Sequence, residues 1–242
     1  GNPGRFHYCG AGPPDDPDVA AYYWRWSHGA RTYDTEGNMD VGPDALVLYD
    51  PSVVPAPPGG SPTAFYEEGG NAIFRSDWSE DAVVALALAE YDTAALFTRD
   101  RHGRGMVPQG HEHADAGAFA LWAFGEQLAM DPGYLSFGER DRVAHAEHHN
   151  GILVDGRGPY PPASASFGWT DLFGRPPADG NARLSDTVDT GFLDAARVTT
   201  RYGSWFADRP GDPVIERRFL FPDHRYLVVA DRVTSSDGAP RE

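Results

Sequence analysis

The chain is 242 residues long, and its 20 basic side chains against 36 acidic ones give a formal net charge of −16. That balance excludes a nucleic-acid partner, because nothing so acidic displaces the counterions of a phosphate backbone. Hydrophobic residues make up 40% of the chain, enough to fill a core, yet no apolar run approaches the roughly 20 residues that span a bilayer, so no membrane partner is expected.

From the N-terminus, Asp15-Asp16-Pro17-Asp18 reads as a cap with proline in the first helical turn. Val19, Tyr22, Tyr23 and Trp26 then fall at helical spacing on one apolar face. A short helical piece at Ala45–Tyr49 precedes a linker from Asp50 to Pro62, rich in proline and carrying Gly59-Gly60. Beyond it the period changes to two. In Ala82–Ala89, Val84, Leu86 and Leu88 project one way and Ala85, Ala87 and Ala89 the other. Ala118–Phe124 is apolar on both faces, as a strand between two layers would be, which places Trp122 in the core. Further strands are expected at Ile152–Val154, Ala196–Tyr202, Arg218–Phe221 and Tyr226–Ala230, the last two joined by a turn at Pro222-Asp223-His224-Arg225. The expected fold is mainly β: an antiparallel β-sandwich over 61–242 behind a short helical segment and linker over 1–60. A lone Cys9 gives no internal disulfide, so packing or a metal must hold the fold. The chain carries no charged-then-apolar leader, and both ends are expected to be cuts through a longer protein.

Histidine is the informative residue. Five of the nine lie between positions 111 and 149: His111, His113, His145, His148 and His149. His111 and His113 project to one side of an extended segment just ahead of the apolar strand. Asp131, in Asp131-Pro132-Gly133, follows His113 by 18 residues, and His149-Asn150 comes a further 18 on. Two imidazoles and a carboxylate suit zinc with water in a fourth position, and Asp115 and Glu147 are candidates to orient the rings. The same residues also read as hydrogen-bonded loop histidines, and His145 or His148 could stand in for His149 if the turn is shifted. Arg75 is expected to pair with Asp77 or Asp81, while Trp169 and Trp205 are candidates to face a glycan.

Four pieces occur in one order: Gly69-Gly70-Asn71-Ala72-Ile73-Phe74-Arg75-Ser76-Asp77-Trp78, the block His111 to Gly117, Gly125 with Asp131-Pro132-Gly133, and His149-Asn150 leading to Asp155-Gly156. That order resembles the heparinase II/III-like polysaccharide lyases, over roughly residues 43 to 234. The resemblance implies an N-terminal α/α toroid, of which residues 17 to 60 would be the end, and a C-terminal β-sandwich. The toroid would be a partner absent from these 242 residues, and the substrate an acidic polysaccharide met outside the cytoplasm, by secretion or in the periplasm. It further implies that His111 is catalytic and that His113, Asp131 and His149 bind a metal, usually zinc.

The chemistry is β-elimination at a uronic acid. The C5 proton is removed and the departing O4 is protonated; an imidazole, which titrates near neutrality, can be the base. In this family an Asn, another His and a Tyr come from the toroid, so the isolated chain is expected to bind metal and be inactive or nearly so. A structural role for the zinc is favoured, because His111 is free to carry the proton. The acidic composition sits awkwardly with an anionic substrate unless arginines cluster locally. Two rival readings remain. His113, Asp115 and His149, with Arg157 for an oxoacid, spell the facial triad of an iron(II) oxygenase, but leave the Asp131 and Asn150 contexts unexplained. A sandwich that holds glycan without cleaving it is the other.

Overall fold

A computed structural model describes residue 20 and residues 52–67, 69–79, 81–89, 115–133, 143, 146–156, 158, 182–201 and 211–240. They fall into two compact units: one holds the residues up to Pro62 with Trp78 and Ser79, the other Thr63–Asp77 and the residues from Asp81 onward. In the first, Ala20 is helical, and its carbonyl accepts from the Ala56 amide at 3.1 Å. The rest of the expected helix and the piece at 45–49 lie outside the described residues. Residues 52–62 form neither helix nor strand, as their prolines, lacking a donor, dictate.

The second unit is an antiparallel β-sandwich. Its five-stranded sheet runs in chain order through β1 (Ala64–Tyr66), β2 (Asn71–Arg75), β3 (Val84–Leu88), β4 (Phe119–Ala123) and β5 (Glu126–Ala129). The four-stranded sheet follows, with β6 (Ala182–Asp189), β7 (Leu193–Arg201), β8 (Val214–Pro222) and β9 (Val228–Thr234). Within each sheet every neighbour is the next strand in sequence, and every pairing is antiparallel.

The alternation read from the sequence at 82–89 has a definite sense. Ala85, Ala87 and Ala89 are fully buried, whereas Val84, Leu86 and Leu88 are half-covered on the outer face. Size explains which face turns inward. Phe74 stands opposite Ala85 in register, and Ala72 opposite Ala87. These small residues leave room for Phe219 and Phe221 of the facing sheet, whose ring centroids lie 6.4 and 6.1 Å from that of Phe74. All three phenylalanines are inaccessible, each contributing about 2–3 kcal/mol of transfer free energy. Two expectations for β4 are corrected. Trp122 pairs with Val84 on the outer face and is 38% exposed, outside the core. Phe124 lies beyond the strand, 84% exposed in the tight turn to β5, where it and Gly125 take φ of 58° and 74°. Two successive positive φ values make this the turn that matches strand twist.

Ile152–Val154 is likewise not a strand; Val154 alone makes a bridge. The segment is too short to pay back a ladder and serves as a loop. Expected strands at 196–202, 218–221 and 226–230 are present with shifted ends as β7, β8 and β9. The turn between the last two has positive φ at Asp223 and His224, closed by the Arg225 amide donating to the Pro222 carbonyl at 3.2 Å.

The buried carboxylate of Asp194 has partners within the sandwich. Asp194, inaccessible to solvent, accepts from the Thr63 hydroxyl and the Thr190 amide and lies 3.3 Å from His224 Nε2. On the outer face, Arg197 reaches both Asp186 and Glu216. Arg75 donates from Nε to the backbone carbonyl of Asp77, at 2.6 Å, where a carboxylate partner was expected.

Candidate functional site

Of the expected site residues, Asp131 follows the end of β5, and the His149-Asn150 segment lies against the start of β4. Ahead of β4, the Ala118 amide donates to the Asp115 carbonyl at 2.7 Å, closing a turn whose third residue, Gly117, has φ +87°. A side chain at that φ is strained, so glycine is required there. The chain leading out of His111 and His113 therefore enters β4 through a fixed turn.

After β5, Asp131-Pro132-Gly133 forms a second fixed turn. Asp131 Oδ1 accepts from the Gly133 amide at 3.1 Å, and Gly133 takes φ +57°. One carboxylate oxygen thus holds its own loop, a local side-chain turn of the kind aspartate favours. The other oxygen meets His149: Nδ1 and Oδ2 are 2.7 Å apart, with the imidazole fully buried and the carboxylate 15% exposed. A short 3-10 turn at Ala146–His148 sets this up. It leaves Glu147 and His148 exposed and turns His149 inward, with the His149 amide donating to the Ala146 carbonyl at 3.2 Å. Gly158 makes the turn possible, since a Cβ there would lie 2.0 Å from that of Ala146.

Asn150 explains why an amide follows the histidine. Its Oδ1 accepts from the Phe119 amide at 2.8 Å, while Nδ2 donates to the Phe119 carbonyl at 2.6 Å and to the Met130 carbonyl at 3.3 Å. One side chain thereby imitates a strand residue beside β4 and also holds the residue before Asp131. The segments carrying Asp131 and His149 are joined to each other and to β4 through it.

The structure thus brings Asp131 and His149 together across 18 residues. His111 and His113 lie outside the described residues, as do His145, Arg157, Trp169 and Trp205. Among the described residues no three metal-ligating side chains form a group. The pair itself supplies an imidazole nitrogen and a carboxylate oxygen, a donor set that fits zinc. Ligand atoms on one tetrahedral zinc are about 3.3 Å apart; the 2.7 Å contact is a hydrogen bond that would have to open by roughly half an ångström for the two to share an ion. Of the residues expected to orient the rings, Glu147 points to solvent, and Asp115 contributes its backbone carbonyl to the turn before β4. The Asn150 staple and the Gly158 contact were missed in the sequence, where only the neighbouring identity of each residue is visible.

Fold and site together define a class: a two-sheet antiparallel sandwich with a buried, loop-borne histidine against a partly exposed aspartate. Residues 59–240 match the family model described as heparinase II/III-like, C-terminal, and the chain belongs to that family. Among solved structures it is similar to heparan sulfate lyase HepC from Pedobacter heparinus, at TM-score 0.53 and 16% identity, covering 92% of this chain and 28% of that one. A heparinase III gene product is similar at TM-score 0.52 and 15% identity, covering 90% of this chain and 27% of that one. The chain therefore spans little more than a quarter of these relatives' length, and the likeness is one of fold. No curated protein matches. Among the described residues no helix is long and apolar enough to cross a membrane.

Proposed function

We propose that the chain is the sandwich part of a polysaccharide lyase that cleaves uronic-acid-containing glycans by β-elimination, working with an α/α toroid outside the cytoplasm. Membership of the heparinase II/III-like family supports the reaction class. The observation that carries the site is the buried contact of His149 with Asp131, 2.7 Å between ring nitrogen and carboxylate oxygen. It is this carboxylate that family resemblance selects as a metal ligand, and it is the one an oxygenase triad through Asp115 does not use.

His113, Asp131 and His149 would hold a zinc ion, which when bound supplies a structural tie among three segments. His111, two residues before the first ligand, takes the C5 proton of the uronate. The electron pair released forms the C4–C5 double bond as the C4–O4 bond breaks, and O4 leaves with a proton from an acid on the toroid. The turn at Gly117 fixes the backbone ahead of β4, and the turn at Asp131-Pro132-Gly133 fixes the one after β5.

The test uses full-length protein with heparan sulfate and alginate, following the ultraviolet absorbance of unsaturated uronate. Appearance of that product, with its loss in H111A at unchanged zinc content, supports the reading. No unsaturated product from any uronic-acid glycan, or full activity in H111A, overturns it.

A further inference from the structure

A charged side chain crosses the sandwich to reach the candidate site from the opposite sheet. Arg217 lies on the inward face of β8, 7% exposed, at a position where its neighbours Ile215, Phe219 and Phe221 are core residues. Nothing apolar would be out of place there, so a guanidinium needs a reason. Four of its five N–H groups have acceptors. Nε and Nη2 donate to the two carboxylate oxygens of Asp231, at 2.7 and 2.9 Å, and this pairing joins residues directly opposite in the β8–β9 register. Nη1 donates to the Gly117 carbonyl at 2.7 Å and to the Asn150 carbonyl at 2.8 Å. The guanidinium carbon also sits 5.9 Å from the centre of the Phe119 ring.

The two carbonyls belong to the two loops that matter. Gly117 is the third residue of the turn that leads into β4, and Asn150 directly follows His149. These residues are far apart in sequence, 33 positions, and no strand pairing joins them. Asp231 fixes the plane of the guanidinium through a two-point contact, and the remaining edge then clamps both loops at once. Lysine cannot do this: one ammonium on a flexible stem has neither the fork nor the span.

We propose that Arg217, held by Asp231, is the positioning residue that fixes the His149-Asn150 segment against the turn at Gly117, and so sets the His149–Asp131 pair for metal binding. It touches neither metal nor substrate and acts through two backbone carbonyls. The proposal rests on the zinc reading above.

The test uses the 242-residue chain, stripped with chelator, in wild-type, R217K, R217M and D231N forms. Zinc affinity is measured by competition with a chromophoric chelator, and thermal melting is recorded with and without zinc. H224Q is the control, since His224 meets buried Asp194 and contacts neither loop through any bond described above. The expected result is that R217K loses about tenfold or more in zinc affinity, as groups that orient ligands commonly do, and that its zinc-induced rise in melting temperature shrinks. D231N should lie between R217K and wild type. H224Q should melt lower without zinc but keep wild-type affinity. Wild-type zinc affinity in R217K, whatever its melting temperature, overturns the positioning role and leaves the zinc reading standing. A wild-type chain that binds no zinc overturns both. If R217M does not fold, R217K and D231N decide.

Discussion

Replacing Asn150 by alanine removes three hydrogen bonds at once. Two are short, at 2.8 and 2.6 Å to the amide and carbonyl of Phe119, and one is long, at 3.3 Å to the Met130 carbonyl. A net hydrogen bond contributes about 1 kcal/mol, and a buried group left without its partner costs somewhat more. Two full bonds and a weak third therefore give about 2–3 kcal/mol for N150A. For a chain of this size each kcal/mol lowers the melting temperature by about 2–4 °C, so N150A should melt about 5–10 °C below wild type. The measurement is circular-dichroism melting in chelator, so that no metal contributes. N150D sharpens it. Aspartate keeps an acceptor for the Phe119 amide but turns its second oxygen toward two carbonyl oxygens, so it should be no more stable than N150A. A loss within about 1 °C for N150A, or wild-type stability for N150D, would refute the stapling role.

Three further outcomes follow from the same geometry. G158A forces a methyl to within 2.0 Å of the Ala146 Cβ; overpacking of this kind costs about 1–3 kcal/mol, and the variant should melt lower by several degrees and bind zinc more weakly because the turn ahead of His149 must shift. F74A empties the centre of the core, where the ring meets Phe65, Phe219 and Phe221; a loss of about 3–5 kcal/mol is expected in urea unfolding. H111A in the full-length lyase should abolish unsaturated-uronate formation while zinc content, measured by elemental analysis, stays at the wild-type level.

Much of the sandwich is written in local pattern. The period-two run at 82–89, the strand at 196–202 and the hairpin around Pro222–Arg225 are all legible, because alternation and turn residues act over a few positions. Strands β1, β2, β5 and β6 were not read out. β5, Glu-Gln-Leu-Ala, has an almost wholly exposed burial pattern, so no hydrophobic alternation marks it. β6 carries a register shift between Ser185 and Val188, with Asp186 at φ +52°, and such a bulge breaks the period. Trp122 shows the converse limit. An apolar strand looks two-sided in sequence, and only the register with Val84 reveals which face looks outward. At the site, Asp131 and His149 could be named from spacing and resemblance, but the groups that hold them could not. Asn150 and Arg217 act through backbone atoms 31 and up to 100 residues away, and Gly158 through the space beside the Ala146 methyl 12 residues back; such contacts leave no mark in a sequence.

The most direct measurement is zinc content of protein purified without chelator, for wild type and for D131A, H149A and D115A. One zinc per wild-type chain is predicted, retained in D115A and lost in D131A and H149A. A metal-free wild type, or zinc kept by D131A and lost by D115A, would contradict the assignment of Asp131 and His149 to a shared ion.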